Sequence, residues 1–135
     1  MAGLLDRYFS FRGRLPRLPF FVRDFYLGIV AIVVFVATIP LFSNGSSVLW
    51  WLAVVILAAM VVTIGVSTIS LIVRRLHDLG LSGYHAIWVG AAELGWTVLS
   101  YGPDYALFLG LPLLAISLWL LFYPGNAEAN RLGPP

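Results

Sequence analysis

Four long apolar runs, residues 25–42, 48–73, 84–101 and 105–123, set the pattern of the chain, and the one side chain inside them that is formally charged at pH 7, histidine being neutral, is Glu93. Each run is continuously apolar, without the period-two alternation of a barrel strand, so each predicts a helix crossing a bilayer. The first, FYLGIVAIVVFVATIPLF, is near the lower limit of the roughly 17–25 residues that a crossing requires. The second is long enough to cross with tilt or to project past the headgroups. Between the runs lie a turn cluster, SNGSS (43–47), a polar insert, RRLHDLGLSG (74–83), and a tight turn, GPD (102–104). The leading segment, residues 1–24, interleaves Leu4, Leu5, Tyr8, Phe9 and Phe11 with Asp6, Arg7 and Arg12. That mixture suits an amphipathic stretch lying in the headgroup plane. Pro16 and Pro19 are expected to end any helix there and to bend the chain toward the bilayer. A polar tail, residues 124–135, follows the last run. The expected architecture is all-α: one membrane domain, an integral bundle of four transmembrane helices with an N-terminal interfacial segment.

Composition sharpens this reading. The chain has 135 residues, enough for one domain, and is 61% hydrophobic and 10% charged. A water-soluble domain is about half apolar and a quarter charged, so the solvent for this excess is lipid. There is no cysteine, which removes disulfides, thiolate metal sites and cysteine nucleophiles. The charged leader is too long, and lacks the cleavage pattern, for a removed secretory signal. All eight basic residues are arginine: five in 1–24, two in the 74–83 insert and one in the tail. Four crossings put those segments on one side, and the loops on the other side carry no arginine. Arginine bias then places both termini in the cytoplasm of a multi-pass inner-membrane protein. Tyr26, Trp50, Trp51, Tyr84, Tyr101, Tyr105 and Tyr123 sit near run ends, as interfacial aromatics do.

Helical spacing puts Thr63, Ser67, Ser70 and Arg74 on one face of the second run, and Ala86, Gly90, Glu93, Thr97 and Ser100 on one face of the third. These small and polar faces are expected to pack on each other, with hydroxyls bonding across the seam. Glu93 lies near mid-run, where an ionised carboxylate is costly. It is expected to be a neutral interhelical hydrogen-bonding group, with Thr63, Ser67 and Thr97 as nearest partners, or else a proton-relay or cation site.

The 74–83 insert holds the densest chemistry. Arg74 and Arg75 sit where a helix leaves the membrane, and a guanidinium grips phosphate with two parallel hydrogen bonds. Gly80 and Gly83 suit a helix stop and re-entry through positive φ, and Ser82 suits a cap for the next helix. His77 and Asp78 are adjacent, so on a helix their side chains diverge. With His85 the only other histidine, no metal site is expected; with no nucleophile–base pair, neither is an enzyme, and no cofactor is implied. Asp78 is expected to pair with an arginine from the N-terminal segment or the tail.

Three patches carry a resemblance. They are Phe11, Gly13, Arg14 and Arg17; then Arg74, Arg75, Leu76, His77, Asp78, Gly80, Ser82 and Gly83; then Pro124, Gly125, Asn130, Arg131, Gly133 and Pro135. In this order and over nearly the whole chain they resemble the bacterial membrane-protein family catalogued as domain of unknown function 805. The chain has Tyr84, Ala129 and Leu132 where that family usually has tryptophan, glycine and an aromatic residue. The resemblance implies an inner-membrane protein of about four helices with no assigned catalytic activity.

The first functional expectation is a binding module. Its cytoplasmic face, Arg12, Arg14, Arg17, Arg74, Arg75, His77, Asp78, Asn130 and Arg131, would hold an anionic lipid headgroup or another phosphate-bearing ligand. The second is an accessory or structural subunit, its partners being other membrane subunits or itself. The third is a small proton-coupled transporter using Glu93, which the lack of internal repeats counts against. No nucleic-acid partner is expected.

Overall fold

The computed structural model describes residues 3–99 and 103–126, the side chains of residues 4, 5, 93–99 and 103–109 excepted. Five helices follow in order: α1 (Leu4–Phe9), α2 (Arg17–Ser43), α3 (Ser47–Asp78), α4 (His85–Leu99) and α5 (Pro103–Phe122). No strand occurs among the described residues. Helix α2 packs on α3, α3 on α4, α4 on α5 and α5 on α2, while α1 lies against α3.

Helices α2 and α3, of 27 and 32 residues, are each long and apolar enough to cross a membrane. In their most apolar windows only 6% and 11% of residues are buried inside the protein, so neither is the covered core helix of a soluble domain. Ile32, Val33, Val55, Val61 and Val62 are each 60–66% exposed. The buried core gathers instead at one end, where Leu15, Phe20, Leu71, Ile72, Leu76, Ala86 and Leu120 pack together. There the N-terminal segment, the start of α2, the end of α3, the start of α4 and the end of α5 converge.

Helix α2 starts earlier than the apolar run that predicts it. Pro16 precedes it in extended conformation, and Pro19 lies within its first turn. A first-turn proline costs little, since N–H groups there have no intrahelical acceptor. The two prolines therefore begin a helix where they were expected to end one, and Phe20 to Asp24 become helical.

Helix α3 carries the polar insert as far as Asp78 and then stops in a Schellman turn. Gly80 takes φ +77°, its N–H donates to His77 O at 3.1 Å, and Leu81 N–H reaches back to Leu76 O at 2.9 Å. Those bonds occupy carbonyls that a helix end otherwise leaves open. Gly83 is not in the positive-φ region. A Cβ there would stand 2.9 Å from Val73 Cγ1 and 3.2 Å from His77 Nε2, so close approach, rather than handedness, selects glycine. Ser82 acts as expected at the next helix: its Oγ accepts Tyr84 N–H at 3.4 Å and its carbonyl accepts His85 N–H at 3.1 Å.

Candidate functional site: an arginine-bearing end of the helices

At the end of α3, Arg75 and Asp78 sit one turn apart on the same face, and a third charge, Arg14, arrives from the N-terminal segment. Arg75 Nη1 donates to Asp78 Oδ2 at 2.5 Å, and Arg14 Nη2 lies 3.2 Å from Asp78 Oδ1. The Arg75 side chain is wholly buried and those of Arg14 and Asp78 nearly so. The remaining guanidinium donors turn to backbone carbonyls of the last segment. Arg75 Nε donates to Leu120 O at 2.7 Å and Nη2 to Tyr123 O at 2.5 Å, while Arg14 Nη2 reaches Asn126 O. The carbonyls at the end of α5 have no helical partner and carry the negative end of its dipole, which makes them natural acceptors for a cation. Asn126 N–H donates to Asp78 O at 2.9 Å.

This clasp joins three segments that are far apart in sequence. Its fit is tight: a Cβ on Gly125 would run into the Asp78 carboxylate, and one on Gly80 would meet the Asn126 amide at 2.6 Å. His77 turns away from its neighbour, with Nδ1 3.2 Å from Gly13 O, while Leu15 N–H donates to Arg74 O at 3.0 Å. The segment 10–16 is thus fastened along the last turns of α3.

The other predicted residues divide between the surface and contacts within and beside the helices. Arg12 and Arg17 are exposed, and Arg74 is half-buried. The Ser70 hydroxyl does not bond across to α4: it donates to Ser10 O at 2.5 Å, so the N-terminal segment meets this face of α3. Ser67 donates within its own helix, to Thr63 O at 2.8 Å, and Thr63 is itself exposed. The expected seam between this face and α4 is therefore replaced, at Ser67 and Ser70, by intrahelical and N-terminal contacts. The side chains of Glu93 and Thr97, like Asn130 and Arg131, lie outside the described residues. Among the described residues, no three His, Cys, Asp or Glu side chains gather as metal ligands.

Two features are not in the sequence reading. Arg23, placed on α2 by the early helix start, donates to Arg7 O at 3.3 Å, and Arg74 Nη1 donates to the same carbonyl at 3.1 Å. Asp24, one residue on, lines a cavity of about 190 Å³ with Thr68 of α3 and Ser117 of α5. The signal for both was present in VRD (22–24), but only a helix beginning at Arg17 brings Arg23 to Arg7 O and Asp24 to the mouth of that cavity.

Fold and site together define a protein that is helical among the described residues, with two helices there long and apolar enough to cross a membrane and a buried arginine–aspartate clasp at one end. Residues 8–134 match a family described as protein of unknown function, DUF805, and the chain belongs to that family. No curated protein and no solved structure matches the chain.

Proposed function

We propose that the chain is a four-helix integral protein of the bacterial inner membrane, with both termini cytoplasmic, and that its arginine-bearing end binds an anionic phosphate headgroup. The cyclic packing of α2, α3, α4 and α5 supports the four-helix reading, and the collection of arginines at one end supports the orientation. The observation that carries the binding reading is the division among the arginines. Arg14 and Arg75 are engaged by Asp78 and by tail carbonyls, whereas Arg12, Arg17, Arg23 and Arg74 form no ion pair among the described residues. Their charge therefore remains at the rim of apolar helices, where an anionic surface is attracted at about 1 kcal/mol per arginine. Beside Arg17, Leu18, Phe21, Leu121 and Phe122 line an apolar groove of about 360 Å³, suited to the upper part of an acyl chain.

Native mass spectrometry of protein extracted with its own lipids tests this, wild type beside a variant in which Arg12, Arg17, Arg23 and Arg74 are all changed to glutamine. The clasp is untouched in that variant. A phospholipid mass retained by the wild type and lost from the variant is the expected result. A wild type carrying no lipid, or only another polypeptide, overturns the binding reading, and the polypeptide would point to the accessory-subunit role.

A further inference from the structure

We propose that Arg23 and Arg74 form a discrete phosphate-binding pair beneath the end of α1, a deepening that rests on the anion-binding reading above. Two guanidiniums from different helices, α2 and α3, converge on a single carbonyl, Arg7 O, at 3.3 and 3.1 Å. They are close enough for mutual repulsion. Like charges brought together need an anion between them, and none is supplied by the described residues, whose ion pairs all belong to Asp78. Asp24, next to Arg23 in sequence, and Asp6, next to Arg7, form no ion pair with either arginine, and Asp78 is engaged by Arg14 and Arg75.

The donor inventory points the same way. Each guanidinium offers five N–H groups in a planar fork, and one neutral carbonyl satisfies two of the ten. Arg74 Nε is buried without a hydrogen-bond partner among the described residues, so the donors left for a ligand are the Nη groups. The Arg7 carbonyl, at the negative end of the short α1, occupies the place of a weak anion. A tetrahedral phosphate, with several charged oxygens, matches two forks from different directions as one carbonyl does not. The ligand class is thus a phosphate monoester or diester, either a phospholipid headgroup or a free phosphate. Neither Arg23 nor Arg7 belongs to the cytoplasmic set that the sequence singled out.

Binding is read in two arms on the intact protein. In nanodiscs of phosphatidylglycerol against phosphatidylcholine, lipid retention is measured by native mass spectrometry. In detergent, inorganic phosphate is titrated and followed by phosphorus NMR line broadening. Two double variants are compared, Arg23→Gln/Arg74→Gln and Arg12→Gln/Arg17→Gln. Glutamine still donates a neutral hydrogen bond to Arg7 O, and thermal unfolding of each variant checks that the fold is kept. The expected result is binding at least about tenfold weaker in the first double variant and a clearly smaller loss in the second, with the responding arm naming the source, and an equal loss in both overturns the discrete pair. If the second double variant loses binding and the first keeps it, this site is overturned while the wider anion-binding reading stands. If the wild type binds in neither arm, both fall. A first variant that unfolds is replaced by Arg23→Lys/Arg74→Lys, which keeps charge but not the planar fork; unchanged binding there overturns the site.

Discussion

Arg75 donates from all three of its guanidinium nitrogens, to Leu120 O, Asp78 and Tyr123 O, and is wholly buried. Asp78 is what makes this burial tolerable, because one carboxylate faces two guanidiniums. Replacing it with asparagine leaves two buried cations without a counter-charge, a loss of about 3–5 kcal/mol for a broken buried pair. Asp78→Asn should therefore unfold at a much lower temperature in detergent than wild type; an unchanged midpoint would remove the clasp from the stability of the fold. At this scale the sequence was partly legible. RRLHD stands out in a chain with so few charges, and an arginine partner for Asp78 from the N-terminal segment or the tail followed from the need to neutralise it; Arg14 fills that place, while the second partner, Arg75 from the same helix, was not foreseen. The acceptors in the tail were not legible, because a backbone carbonyl leaves no mark on the residue type that carries it. Gly125 was likewise visible only as part of a motif, because its close approach to the Asp78 carboxylate exists only in the folded chain.

Among the elements, α2 and α3 show why apolar runs locate helices better than they bound them. A run ends where side chains become charged; a helix ends where its backbone bonds end. Arg17, Arg23, Asp24, Arg74, Arg75 and Asp78 all lie beyond the runs and inside the helices. Gly80 is the position where the end of α3 depends on one residue, since its φ of +77° is unfavourable for any side chain. Gly80→Ala should cost about 1–2 kcal/mol from that strain alone. It should also push the Asn126 amide aside. Hydrogen exchange at Leu81, whose N–H closes the turn, should rise accordingly; unaltered protection would show that the turn tolerates a side chain. The short α1 is a different case. Its six residues cannot hold a helix alone. Donors from Arg23, Arg74 and Ser70 take the open carbonyls at and just past its end.

For the whole molecule, three segments widely separated in sequence meet at one end of the long helices, and that meeting gives the topology a direct test. A reporter that is active only in the cytoplasm should work when fused after Asn126 and fail when inserted at Gly45, in the turn between α2 and α3. Activity at both sites, or at Gly45 alone, would reverse or dismantle the proposed orientation. The all-helical class was legible from hydropathy because lipid exposure demands continuous apolar runs. The polar seam expected between the second and third runs was misplaced at Ser67 and Ser70. A helical face shows only that something packs there, and the N-terminal segment competes for the same surface as α4.

The clasp also sets an order of events during synthesis. Arg75 leaves the ribosome 45 residues before Leu120, and Arg14 leaves 112 residues before Asn126. At about 5–20 residues per second, the end of α3 waits roughly 2–9 seconds for its acceptors. Until then its guanidinium and carboxylate have to stay hydrated, which keeps that end of α3 open to water. Closure of this end of the helices thus waits for the segment from Leu120 to Asn126, and a nascent protein that has not yet made it keeps an open, charged edge.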